Sequence, residues 1–340
     1  MIFCANCKRR RLSAIRFGKN SANRQALASF MDGLAKDILK TLCLADALGL
    51  APTLIEVRRF LGAGLAGPTS LGDILSALKR LEVDGKIFSN QGFFCLRGRE
   101  ELIAERLKRL AVTEGKWLLV RRALLRLRHL PWVRLVAICN TVAMGLARRE
   151  SDVDVFLIVR PGRIWASRLL CHAALAFGSL ARRGKGAANR LCLSFTVTDD
   201  ALALASIAKK PADPYLAAWL ATLLPVIGES DVYAKLIAEN NWLSQYFRDF
   251  IQRRPALLRR SERSALARIF DWLDFFYGRP LNFAARIFQR PRIVNNPESR
   301  VQGTGSDVVV NETMLKFHEQ DRREEVRERF QKRLAELGIR

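Results

Sequence analysis

Asp152 and Asp154 are the residues whose type and spacing best support chemistry. They stand two apart in Ser151-Asp152-Val153-Asp154, directly ahead of the apolar run Val155-Phe156-Leu157-Ile158-Val159. Such a run reads as a strand. Side chains alternate along a strand, so both carboxylates project from one face. Two carboxylates side by side repel unless a cation lies between them. Oxygen ligands of this kind suit Mg²⁺, which is commonly held by one or two carboxylates together with substrate phosphates. A pair of acids at the mouth of an apolar strand costs stability unless it has a partner.

Other elements must position this pair. Trp132–Cys139 alternates apolar residues and reads as a preceding strand, after a stop at Pro131. Asn140 and Thr141 follow it, and Gly145 marks a turn before the acids. Ile164–Leu180 has helical spacing and serves as a crossover to a later strand, Arg190–Thr198. Strict alternation there puts Cys192, Ser194, Thr196 and Thr198 on one face, with no acid among them. Asp199 and Asp200 come immediately after.

The order strand, short helix, loop, strand, with Asn140-Thr141 and then Ser151-Asp152-Val153-Asp154, resembles the nucleotidyltransferase superfamily of the DNA polymerase β type. That family carries a Gly-Ser pair after a strand and Asp-x-Asp on the next. The resemblance covers residues 131–200. It implies that Asp152 and Asp154 bind divalent ions, Mg²⁺ or Mn²⁺, which hold the phosphates of an NTP. It implies nucleotide contacts from Asn140 and Ser151, and from Thr141 in place of the family Ser. Nearby backbone N–H groups at a helix start are expected to meet phosphate. Asn140 stands where the family has Gly; it tolerates a left-handed backbone but crowds the approach. The family's third carboxylate falls to Asp199 or Asp200, which can instead cap the next helix. Lys185, in the basic loop Arg182-Arg183-Gly184-Lys185-Gly186, either touches a phosphate tail or sits in a surface turn. The implied function is metal-dependent transfer of a nucleotidyl group from an NTP to an acceptor. The alternative is a catalytically degenerate nucleotide- or nucleic-acid-binding regulator. The third acid separates the two: without it hydroxyl activation fails while binding survives.

The flanking segments read differently. Residues 1–27 form a basic tail, where Cys4-Ala-Asn-Cys7 has knuckle spacing but lacks the second ligand pair that a closed zinc site needs. Residues 28–98 hold three helices, Leu34–Leu48, Leu54–Leu61 and Leu71–Glu82, then a hairpin of Lys86–Ser89 and Phe93–Leu96 around Asn90-Gln91-Gly92. Ser70 with Asp73 is a capping pair for the third helix. This order resembles a winged helix-turn-helix, in which the third helix offers Lys79 and Arg80 to DNA or packs against protein. Residues 99–130 read as two connecting helices, Glu100–Val112 and Gly115–His129. Residues 206–340 read as a helical C-terminal domain after a core ending at 205. Its helices are Pro214–Leu224, Asp231–Asn240, Trp242–Arg253 and Ser261–Phe276, with Trp219, Trp242, Trp272, Phe275, Phe276 and Tyr277 in the core. Asp307–Val310 is a short strand, and Asn311 caps a last helix that ends at Gly338. The fold class is therefore an α/β (α+β) nucleotidyltransferase-like core with a mixed sheet, between a winged-helix-like domain and a helical domain.

Composition sets the outer bounds. The chain has 340 residues, with 57 Lys and Arg against 33 Asp and Glu, for a net charge of +24. Apolar residues are 49% of the total, which excludes a wholly disordered chain. No apolar run reaches the ~18 uncharged residues of a membrane span, the nearest being Pro214–Gly228 and Leu169–Leu180, so no integral membrane segment is expected. The excess charge clusters at Lys8–Arg24, at Lys108–Arg134 with Arg121 and Arg122, and at Arg253–Arg292. Arginine clusters point to a polyanion, RNA or DNA. Trp117–Leu130 also reads as a basic amphipathic helix suited to an anionic membrane surface. Seven cysteines, most inside apolar runs, are expected as reduced core thiols of a cytoplasmic protein.

Overall fold

The computed structural model describes residues 21–62, 64, 69–177, 180, 189–248, 262–294, 308–317 and 322–339. Cys4, Cys7, most of the basic tail and the loop bearing Lys185 lie outside the described residues. The fold is mixed α/β, with eleven α-helices and a six-stranded mixed sheet among the described residues.

The N-terminal unit comprises α1 (Ser21–Leu48), α2 (Leu54–Arg59), α3 (Leu71–Val83) and the hairpin β1 (Ile87–Asn90)–β2 (Phe93–Leu96). Leu34, Ile38, Val57, Ile74, Leu78 and Ile87 form its core. Both α2 and α3 begin with a capping box, Thr53 with Glu56 and Ser70 with Asp73. The hairpin turns through Gln91 (φ 52°) and Gly92 (φ 80°), the left-handed pair that a tight two-residue turn requires. α1 starts at Ser21, well before the expected Leu34 and inside the expected tail. Residues 25–29 are exposed, and a stretch without a buried face leaves no apolar period to read.

The sheet runs β6-β3-β4-β5-β8-β7. Its strands are β3 (Val133–Ile138), β4 (Val153–Val159), β5 (Leu191–Thr198), β6 (Leu224–Gly228), β7 (Val309–Val310) and β8 (Met314–Lys316). β4 and β5 pair in parallel and the remaining neighbours are antiparallel. Helix α6 (Ile164–Phe177) makes the crossover between the parallel strands, as such a pair demands. β3 and β4 are buried on both faces. Leu135, Ala137, Phe156 and Ile158 face one cluster, while Val136, Ile138, Val155 and Leu157 face the other. Burial on both faces explains the continuous apolar run of β4. Helices α7 (Pro214–Thr222) and α8 (Ser230–Glu239) cover the first face. The second is covered by α4 (Glu101–Leu127), α6 and α10 (Asp274–Val294). Between α8 and α10 comes the short helix α9 (Ala265–Trp272).

Several expectations change. The two connecting helices are the single α4, because Gly115 lies on its exposed side. A glycine there costs about 1 kcal/mol relative to alanine, less than the buried Thr113, Lys116, Trp117 and Val120 around it return. The sheet takes β6, β7 and β8 from beyond residue 205, since β3 and β5 each need a partner on their outer edge. Asn311 closes the β7–β8 turn, where its Oδ1 accepts from the Thr313 and Met314 N–H groups, and α11 (Arg323–Glu336) begins twelve residues later. The helix expected over Trp242–Arg253 is a 3₁₀ turn at Asn241–Gln245, and residues 249–253 lie outside the described set. Trp272, Phe275 and Phe276 are not core: they are 80%, 89% and 74% exposed. Among the described residues, no helix is long and apolar enough to cross a membrane.

Candidate functional site

The site lies where β3 ends and β4 begins. β3 and β4 are antiparallel, so Cys139, just past β3, faces Asp154; β4 and β5 are parallel, with Asp154 opposite Cys192. The Cys139 N–H donates to the Asp154 carbonyl at 3.1 Å. The next residue, Asn140, has φ 54°, the left-handed conformation that asparagine tolerates. This turn brings its Nδ2 to Asp154 Oδ2 at 2.9 Å. Asn140 Oδ1 is buried without a hydrogen-bond partner. Asp152 and Asp154 are both half-buried. Val153 between them points into the opposite cluster, so the pair shares one face.

Behind Asp154 the site has an aromatic floor. Phe156, Phe195 and Trp219 pack with ring centroids 5.2 to 5.5 Å apart. The Cys139 thiol is pushed up by complete burial, then by the Asp154 carboxylate and Cys192, against a smaller pull down from Ser194 and Trp219. It is therefore a protonated packing group, not a nucleophile.

Thr141 is half-buried in α5 (Asn140–Ala143). That helix has four residues, a single turn, so it supplies individual N–H groups rather than an extended dipole. Gly145 follows with φ 69°. A Cβ there would lie 3.0 Å from the Arg106 guanidinium. Arg106 donates to the Met144 carbonyl and, at 2.8 Å, to Glu56 Oε1. The turn beneath the site is thereby tied to α2 of the N-terminal unit. Ser151 Oγ accepts from the Arg148 N–H at 3.0 Å and shapes the approach to Asp152.

Lys116 holds the other side of this loop. It is only 2% exposed. Its ammonium donates to Arg149 O at 2.9 Å, to Ser151 O, and to Asn189 Oδ1 at 2.8 Å. Burial lowers its pKa, while Asp152 and Glu150 pull in the opposite direction. A positive charge of the chain's own therefore lies near Asp152. Lys116 and Arg106 escaped the sequence reading, which took the cations of this segment as surface. The signal was present: Arg106, Thr113, Lys116 and Val120 recur at seven, three and four residues, on the stripe that faces the core.

Asp199 and Asp200 are not brought to Asp152 and Asp154. The Asp199 N–H bonds to Val159 O, at the far end of the β4–β5 pair. At 3.3 Å per residue, that end lies roughly 16 Å from Asp154. There Asp199 pairs with Arg134 at 3.3 Å, and burial raises its pKa against the pull of Arg134 and Lys235. The β5 face also departs from simple alternation. A bulge opposite Val155 shifts the register, so Phe195 and Val197 join the Asp154 side and Thr196 and Thr198 turn away. Among the described residues, no group of three His, Cys, Asp or Glu is placed to hold a metal ion.

The remaining site residues are dispersed. Lys79 and Arg80 are exposed on α3, with Arg80 3.0 Å from Asp32. Arg121 and Arg122 are exposed on α4, in the layer over the sheet's second face. The structure does not join these two pairs into one surface on any element. Compared with known proteins, the chain matches no family model, no curated protein and no solved structure.

Proposed function

We propose that this chain is a metal-dependent binder of a nucleoside triphosphate, built on a nucleotidyltransferase-type core whose described residues bring no third carboxylate to the acid pair. Asp152 and Asp154 share a Mg²⁺ with the ligand's phosphates, and Asn140 orients Asp154 through its amide. Thr141 and the N–H groups around it meet the phosphate tail. The buried Asn140 Oδ1 has no hydrogen-bond partner and retains the capacity to accept from a further donor. The N-terminal unit has the element order of a winged helix, and α3 offers Lys79 and Arg80 for a regulatory contact with nucleic acid.

One observation carries this reading. Asp199 and Asp200, the only acids on or next to the later strand, stand at its opposite end. A two-carboxylate set suffices for Mg²⁺ with phosphate, and among the described residues no third acid joins it to act as base for the acceptor hydroxyl. The test incubates the chain with each labelled NTP, Mg²⁺ or Mn²⁺, and cellular RNA and protein. Metal-dependent binding without transfer, lost in Asp152→Asn/Asp154→Asn and on adding a chelator, is the expected result. Label transferred to a macromolecule by the wild type alone reinstates the transferase. Neither binding nor transfer overturns the nucleotide reading.

A further inference from the structure

The helical layer over the sheet's second face has an inner side that matches the core and an outer side that does not match water. On α10 the inward residues are Asp274, Gly278, Ala285, Gln289 and Ile293. The outward residues include Phe276, Phe283, Ile287 and Val294, which are 74%, 63%, 58% and 51% exposed. Their spacings of seven, four and seven residues place them on one stripe of the helix. Arg279, Arg286 and Arg290 recur at seven and four residues, a parallel stripe beside it. The preceding helix α9 continues the surface with Leu266, Ile269 and Trp272, exposed by 47%, 54% and 80%. On α4, in the same layer, Leu118 and Leu125 are 56% and 65% exposed around Arg121 and Arg122.

Arg286 pairs with Glu312 at 3.1 Å, while Arg279 and Arg290 are exposed and the acids of α9 and α10 are turned away from them. Asp271 accepts from the Trp132 N–H and pairs with the buried Arg263. Asp274 is turned inward onto Arg163 and Arg160. The outer face is thus apolar and cationic. Exposed apolar patches of this extent mark interaction surfaces. An apolar stripe bearing Phe and Trp, lined by arginine, is the pattern of a helix lying in a bilayer interface. Tryptophan and phenylalanine enter the headgroup boundary, and the arginines meet lipid phosphates.

We infer that the outer face of α4, α9 and α10 docks on an anionic phospholipid bilayer and holds the protein peripherally at a membrane. Charge complementarity selects this occupant over two others. A second copy would bring its own Arg279 and Arg290 against this pair, and like charges in a drying interface repel. RNA matches the arginines but has no use for Leu118, Leu266, Ile269, Ile287 and Val294, which cannot stack on bases. The inference is independent of the nucleotide reading, since none of these residues borders Asp152 or Asp154.

Vesicle co-sedimentation tests it. The full chain is mixed with vesicles of phosphatidylcholine alone, or with phosphatidylglycerol added. The expected result is pelleting with the anionic vesicles, weakened by salt, with a blue shift in tryptophan emission that Trp272→Phe reduces. Phe276→Ser/Phe283→Ser/Ile287→Ser and Arg279→Glu/Arg290→Glu are each expected to cut the bound fraction about tenfold or more. Their positions are exposed, so circular dichroism and melting should stay those of the wild type. No binding to anionic vesicles overturns the inference, as does equal binding by both variants. It is also overturned if the wild type ignores vesicles but binds RNA, or forms a dimer that the serine variant abolishes.

Discussion

Two polar residues determine the shape of the site at the residue scale, and both are built into the backbone that carries them. Asn140 sits at φ 54° and gives its amide to Asp154. Asn140→Gly keeps the backbone and removes the amide, so it should weaken metal-dependent NTP binding with little loss of stability. Asn140→Val should in addition destabilise by about 1–2 kcal/mol, because a β-branched residue is strained in the left-handed region. Urea denaturation and NTP titration of the two variants separate these effects. Lys116 gives three hydrogen bonds to the loop ahead of Asp152. Lys116→Met leaves those acceptors unpaired and removes the cation near Asp152. We expect a loss of about 2–4 kcal/mol in chemical denaturation. Lys116 was legible as a lysine on an apolar stripe; its partners, 33, 35 and 73 residues away, were not.

The decisive contacts at the element scale are those that attach one element to another. Gly145 ends α5 with φ 69° and lies against Arg106, which joins α4 to α2. Gly145→Ala should cost about 1–3 kcal/mol, from the left-handed backbone and from displacing that guanidinium. α10 is pinned by Asp274, whose carboxylate accepts from Arg163 at 2.6 and 2.8 Å. Burial alone would raise its pKa, but the bonds from Arg163 and the charge of Arg160 outweigh this and hold it below the ordinary carboxylate value. A depressed carboxylate stabilises the fold fully above its unfolded pKa. That contribution is lost as pH falls through the lower folded value. The stability gap between wild type and Asp274→Asn should therefore be full at neutral pH and close in acid, below about pH 4. Denaturation midpoints measured across that range check the sign.

The whole molecule is held as one body by ion pairs that span long stretches of chain. Asp46, near the end of α1, binds Arg99 at 2.5 Å and Arg333 of α11 at 2.6 Å. Phe330 of α11 packs against both the N-terminal cluster and the first-face core. Asp46→Ala removes the buried carboxylate shared by two arginines, which keep Glu101 and Glu336, and should lower stability by about 1–2 kcal/mol in urea denaturation. It should do so within a single transition, since the apolar contacts between units remain. The outer face of α9 and α10 and the Asp152–Asp154 pair lie on different elements, so if both proposals hold, loss of one binding activity should leave the other intact.

Sequence alone determined what depends on neighbours along the chain. Capping pairs at Ser70 and Asp73, the turn at Gln91-Gly92 and the apolar run of β4 are local, and local chemistry suffices for each. The Asp152–Asp154 pair was legible for the same reason: its spacing of two is itself the geometry. Tertiary structure decided whatever depends on which elements meet. β8 reaches β5 across more than a hundred residues and carries β7 at its outer edge, and no period in the sequence encodes that pairing. Parallel strands put Asp199 at the end of the sheet away from Asp154, although both follow or begin apolar strands. Trp272, Phe275 and Phe276 looked like core because aromatic residues usually find a partner inside. Only the packing of α10, which turns Asp274 and Gly278 inward, reveals that these rings face outward.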